Sequence, residues 1–195
     1  MEAEIKNTNG YILAGGNSAR MGEDKGLMLI EGKAMVQYVI EKMQPLFSNL
    51  FIVSNNPEYE KFGLEVIPDL IKNIGPAGGI YTALNHSDAK FNFIVSCDMP
   101  FITKEAIVYI CRNTDESQIV LPVHQEKFEP LFGIYAKDCL KIWLELIEQK
   151  NIKLMEMAKH FKLKTIPVEN NNIFKESIFK NINTKEDFKN IFNLI

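Results

Sequence analysis

A single α/β domain, built as three layers with helices on both faces of a mostly parallel sheet, is predicted by three observations. Short apolar runs alternate with helical patterns, and each of the first four runs is closed by Gly, Pro, Asn or Asp. No linker or internal repeat divides the chain, so residues 1–195 read as one unit with an N-terminal half of about 8–112 and a C-terminal half of about 113–195. Its 195 residues, 46% hydrophobic and 24% charged, suffice for one sizeable core.

The first strand is Gly10–Ala14, an apolar run entering two glycines. From Lys33 to Phe47 the apolar residues Val36, Val39, Ile40, Met43 and Phe47 recur at helical spacing. Leu50–Val53 is a second strand, stopped by Asn55-Asn56-Pro57, and Leu64–Ile67 a third, stopped by Pro68-Asp69. A loop at Gly75–Gly79 precedes a helix from Ile80 to His86, and Phe91–Cys97 is a fourth strand ended by Asp98 and Pro100. Ile119–Val123 and Pro130–Tyr135 are the next strands. A helix comes after them with Leu140, Trp143, Leu144 and Ile147 on one face, then a strand at Leu163–Val168. Asn170-Asn171-Asn172 marks a loop, and Thr184, with Glu186 and Asp187 behind it, starts a short terminal helix.

Composition excludes several classes. A formal charge of −3 argues against a nucleic-acid-binding surface, so phosphate binding must be local. Cys97, Cys111 and Cys139 form no C-x-x-C pair, which fits reduced thiols rather than disulfides or zinc. The N-terminus, with Glu2 and Glu4, has no signal-peptide pattern. No run approaches the ~18 apolar residues of a membrane span, and the cytoplasm is the expected compartment.

Chemistry concentrates after the first strand. Leu13 and Ala14 lead into Gly15-Gly16, then Ser18, Arg20, Gly22, Asp24 and Lys25. In an open α/β sheet this is the carboxyl end of a strand, where ligands bind. Paired glycines let backbone N–H groups approach phosphate oxygens. Ser18 adds a hydroxyl, and Arg20 and Lys25 add the positive charge that a triphosphate requires. Asp24 either positions Lys25 or caps a turn. The segment is neither a Walker A loop nor a G-x-G-x-x-G. Asp98 comes directly after the fourth strand, so its carboxylate shares the sheet edge with the glycine loop and suits Mg²⁺, a hard cation that takes oxygen ligands. Asn55 and Asp69 end strands at the same edge, where, taken alone, they read as turn residues before they read as ligands. Gly75 and Gly79 offer further backbone donors before a helix.

Residues 13–25 match L-A-G-G-x-S-x-R-M-G-x-D-K in full, and this resembles the signature of the molybdenum cofactor guanylyltransferases. The resemblance continues at Gly75-Pro76-Ala77-Gly78-Gly79, Cys97-Asp98-Met99-Pro100-Phe101, Glu129-Pro130-Leu131 through Tyr135, and Asn181-Ile182-Asn183-Thr184. It implies a Rossmann-like sheet of the nucleotide-diphospho-sugar transferase type. It implies a reaction in which GMP passes from GTP to the terminal phosphate of molybdenum-molybdopterin, with Mg²⁺ on Asp98. It also implies delivery of the product to molybdoenzymes or other cofactor-biosynthesis proteins. By resemblance Asn55 and Asp69 bind nucleotide, and Asn181 and Asn183 face the pterin. From the residues alone, those two amides equally order the start of the Thr184 helix. The family's usual G-P-L-A-G is Gly-Pro-Ala-Gly-Gly here, which predicts a more mobile loop and weaker base selection. The alternatives are a CTP- or UTP-dependent transferase with another phosphorylated acceptor, and a non-catalytic nucleotide-binding module. His86, His124 and His160 lack metal spacing, and Cys97 lacks a histidine partner.

Overall fold

The computed structural model describes residues 5–15, 24–180, 182, 184, 186 and 187. The strands among the described residues are β1 Thr8–Leu13, β2 Leu29–Ile30, β3 Lys33–Ala34, β4 Leu50–Val53, β5 Glu65–Ile67, β6 Phe91–Ser96, β7 Ile119–His124, β8 Lys127–Phe128, β9 Phe132–Ala136 and β10 Leu163–Pro167. The helices are α1 Met35–Met43, α2 Pro76–His86, α3 Lys104–Cys111, α4 Leu140–Glu148 and α5 Leu154–Ala158. The main sheet runs β10-β7-β9-β6-β1-β4-β5, with β8 paired to β7. Its pairs are parallel except those that β9 makes with β6 and β7 and the β7–β8 pair.

Alternation along each strand divides the core in two, because successive side chains leave a strand on opposite faces. Ile12 of β1, Phe93 and Val95 of β6 and Ile134 of β9 face Val36, Val39 and Met43 of α1 and Ala106, Ile107 and Ile110 of α3. Tyr11 and Leu13 of β1, Ile94 of β6 and Tyr135 of β9 face Ala77, Ile80 and Leu84 of α2, Trp143 and Leu146 of α4 and Met157 of α5. Helices thus cover both faces, as the alternating pattern predicts. Every residue of β1 is buried, which accounts for its unbroken apolar reading: a central parallel strand has no solvent face. Among the described residues no helix is long and apolar enough to cross a membrane.

Three local expectations change. The helix read from Lys33 begins at Met35, because Lys33 and Ala34 instead pair with Ile30 and Leu29 across a Glu31-Gly32 turn. Both turn residues have positive φ (49° and 78°), the requirement of a tight two-residue hairpin. The helix read from Ile80 begins at Pro76, so the expected Gly75–Gly79 loop is largely the first turn of α2. Proline is compatible with that position, since its missing N–H is one a helix start leaves unpaired. Only Gly75, at φ 64°, ψ −150°, stays outside the helix. The loop expected at Ala77 and Gly78 is therefore helix. Ala77 is fully buried, and a Cβ on Gly78 would lie 2.6 Å from the Ile71 carbonyl, so the small residue admits a close backbone approach. Thr184 does start a helical turn: its Oγ1 accepts from the Asp187 N–H at 3.1 Å, while its own N–H donates to Asp187 Oδ2 at 2.8 Å.

Candidate active site

The carboxyl ends of β1, β4, β5 and β6 point the same way, so the segments leaving these four strands meet at one edge of the sheet. There they enclose a cleft of ≈ 590 Å³, within the range of small-ligand sites. Leu13 lines it at the end of β1, Ala14 and Gly15 just beyond, Asn55 after β4, Asp69 after β5, Gly75 and Gly79 at the start of α2, and Asp98 after β6. Residues remote in sequence are thus brought together by strand direction alone.

Backbone pairing fixes this edge. The Ala14 N–H donates to the Val53 carbonyl at 2.9 Å, Cys97 N–H to Leu13 at 3.0 Å, and Ser96 N–H to Leu131 at 3.0 Å. Asn55 and Asp69 hold each other: Asn55 Nδ2 donates to Asp69 Oδ2 at 2.8 Å, and the Asp69 N–H donates to Asn55 Oδ1 at 3.2 Å. Burial raises the Asp69 carboxyl above its ordinary range, against the lowering effects of Asn55 and Lys72.

Asp98 is different. Its backbone carbonyl accepts the Ile182 N–H at 3.0 Å, but its buried Oδ1 has no hydrogen-bond partner among the described residues. A buried carboxylate oxygen without a donor is costly and is the type of group a hard divalent cation takes. The described residues contain no group of three or more His, Cys, Asp or Glu able to enclose a metal. Mg²⁺ is commonly held by one or two carboxylates with phosphate oxygens and water, a setting that Asp98 would suit. Cys97, beside it, is buried, and burial pushes its thiol up, which keeps it protonated and poorly nucleophilic.

Not every expected residue falls in the cleft wall. Gly16, Ser18, Arg20, Gly22, Asn181 and Asn183 lie outside the described residues. Lys25 opens a single 3₁₀ turn, Lys25–Leu27. Among the described residues the wall includes its neighbour Asp24 and not Lys25 itself. Ile182, between the two asparagines, is fully buried against Ile30 and Met35. Its hydrogen bond to Asp98 ties Ile182 itself to the cleft. Asn56, Asn73, Ser96 and Leu131 also line the wall and do not stand out in the sequence as site residues. Leu131 had a signal, the Glu129-Pro130-Leu131 segment; Asn73, at φ 64°, had none. None of the histidines lines the cleft: His86 Nδ1 lies 3.1 Å from the Tyr11 hydroxyl, and the His124 ring stacks on Phe179 at 5.1 Å.

Glu129 carries a measurable consequence. Burial raises its carboxyl from 4.5 to about 7, only partly offset by Lys127. Between those values the folded chain holds a proton that the unfolded chain has released. Stability should therefore fall as pH rises from about 4.5 to about 7 and stay reduced above. Thermal unfolding of Glu129→Gln across this range should lack that component, so the variant gains on the wild type at pH 8 but not at pH 4. Parallel curves would refute it.

Residues 10–163 match the model of the MobA-like NTP transferase domain. A Flavobacterium johnsoniae protein named "probable molybdenum cofactor guanylyltransferase" is 35% identical over 182 residues, covering 93% of this chain and 94% of that one. A relative of the same name from Clostridium perfringens is 35% identical over 189 residues, covering 92% and 93%. The crystal structure of molybdopterin-guanine dinucleotide biosynthesis protein A from Archaeoglobus fulgidus is similar with a TM-score of 0.81 at 27% identity, covering 96% of this chain and all of that one. With a matching sheet, a cleft at the carboxyl edge and relatives of full length, this chain belongs to the MobA-like NTP transferase family.

Proposed function

We propose that this chain transfers GMP from GTP to the terminal phosphate of molybdenum-molybdopterin, releasing pyrophosphate. The observation that carries the reading is the cleft itself. It gathers Gly15, Asn55, Asp69, Gly75 and Asp98 at one sheet edge in a chain of this family.

An acceptor phosphate oxygen attacks the α-phosphorus of GTP, forming the new P–O bond. The bond from that phosphorus to the bridging oxygen breaks, and pyrophosphate leaves with the electron pair. A phosphate nucleophile is already ionised at neutral pH, so no general base is needed. Catalysis then rests on alignment and charge stabilisation. Lys25 and Arg20 are assigned to the triphosphate, as compact and forked cations respectively, and Gly15-Gly16 with Ser18 and Gly22 to its cradle. Leu13 and Ala14 deliver that cradle from β1. Asp98 would hold Mg²⁺, whose charge would offset that of the phosphate oxygens. Asp69 is a carboxylate and accepts only, so it suits a base N–H rather than a phosphate, and Asn55 fixes its orientation. Gly75 and Gly79 bring the α2 N-terminus close to the nucleotide. Asn181 and Asn183 are assigned to the pterin, and the cytoplasm to the reaction.

The test is pyrophosphate release with GTP, CTP or UTP, each with and without molybdenum-loaded molybdopterin. Release that needs both GTP and the acceptor is expected. A preference for CTP or UTP would assign a different base, and no release with any triphosphate would leave a nucleotide-binding module without this activity.

A further inference from the structure

The Asp24 carboxylate is a convergence point. Its Oδ1 accepts from the Gly26 N–H at 3.1 Å and from the Tyr59 hydroxyl at 2.5 Å, and its Oδ2 accepts from Asn56 Nδ2 at 3.2 Å. Tyr59 is fully buried, and burial first, then the neighbouring Cys97 and Asp24, raises its phenol, which stays protonated and donates to Asp24. Asn56 is held in turn, since its Oδ1 caps the 3₁₀ segment Pro57–Phe62 through the Glu58 N–H at 3.0 Å. Gly26 belongs to the same unit, because a Cβ there would collide with the Tyr59 hydroxyl. Tyr59 and Asn56 come after β4, whereas Asp24 closes the glycine-rich segment that began after β1.

We propose that Asp24 is a positioning residue: with Tyr59 and Asn56 it clamps the exit of the glycine-rich segment and so sets Lys25 against the triphosphate. The inference rests on the assignment of Lys25 to the nucleotide made above. It separates two carboxylates of one cleft. Asp24 directs both oxygens at neutral protein donors, whereas Asp98 keeps an oxygen with no partner among the described residues. The first is an anchor and the second a cation ligand. Such bonds to a charged group exceed neutral ones in strength, and an anchor shared by three donors fixes both its rotamer and the backbone leading into Lys25.

The chemistry of the amide supplies a test. In Asp24→Asn one oxygen becomes an NH₂ group, which meets donors whichever way it turns. Adding Asn56→Asp turns the opposing donor into an acceptor and restores the pair. Asp24→Asn is expected to lower kcat/KM for the nucleotide by about 10–100-fold, and the double variant to recover about tenfold or more of it. Tyr59→Phe should lose roughly tenfold, and the half-saturating Mg²⁺ concentration should stay at the wild-type value in all three. If Asp24→Asn raises the Mg²⁺ requirement and Asn56→Asp does not restore activity, Asp24 is a cation ligand and the proposal fails. It also fails if the variants lose thermal stability while keeping wild-type kcat/KM, which is a purely structural role. The wild type is assayed first with GTP, CTP and UTP, and ratios are read with whichever it uses. If it turns over none, the same ratios are read as equilibrium Kd values for GTP. A wrong base assignment and a failed clamp thus give different results.

Discussion

Asp98→Asn is expected to slow pyrophosphate release by about 10²–10³-fold, the cost of removing one electrostatic group from a preorganised site. The replacement has nearly the same shape, and the bonds that fix this turn are backbone bonds: Cys97 N–H to Leu13, Ile182 N–H to Asp98, and Ile102 N–H to Met99. None depends on the carboxylate, so unfolding temperature should stay close to that of the wild type. What changes is the charge at a buried oxygen without a partner among the described residues, and with it the ability to hold a hard cation. The half-saturating Mg²⁺ concentration should therefore rise, with part of the lost rate returning at high Mg²⁺. The measurement is kcat as a function of Mg²⁺ for both proteins. Near-wild-type turnover by Asp98→Asn at ordinary Mg²⁺ would remove Asp98 from the mechanism.

Asp98 is legible in the sequence because of how parallel sheets work. A buried central strand is a short apolar run on both faces, and Phe91–Ser96 stands out as one. Parallel strands share a direction, so the residues after β1, β4, β5 and β6 meet without any knowledge of side-chain packing. Leu13, Asn55, Asp69 and Asp98 could all be placed at one edge by this rule. The start of α2 could not. Proline and three glycines read as a loop because their local propensity is low. Tertiary contact overrides it: Gly78 packs under the Ile71 carbonyl, and the Ala77 carbonyl accepts a bond from α4. Tyr59 was equally hidden. Nothing in Pro57-Glu58-Tyr59 announces a phenol aimed at Asp24 from 35 residues away, because that contact exists only once β1 and β4 are paired.

The larger effect on stability is expected at Trp143. It is fully buried, meets Tyr135 edge-on at 5.6 Å and lies at 30° to Phe161 at 5.8 Å. Its Nε1–H donates to the Ala77 carbonyl at 3.0 Å. Truncation to alanine leaves a cavity between α4 and α2 that close-packed neighbours only partly fill, and should cost about 3–5 kcal/mol. For a chain of this length that lowers the unfolding midpoint by roughly 6–20 °C. Circular dichroism is the suitable probe, because Trp143 is the single tryptophan and its fluorescence disappears with it. Trp143→Phe is the milder change: it keeps most of the ring volume, loses the rest of the indole and the donor to Ala77, and should cost about 1–3 kcal/mol. Ala77 sits between the cleft-lining residues Pro76 and Gly79, so the cavity left by alanine lies behind that part of the cleft wall. Trp143→Ala should therefore raise KM for the nucleotide under conditions where it remains folded, while Trp143→Phe should not. Equal KM values for all three proteins would mean that α2 holds its first turn without support from α4.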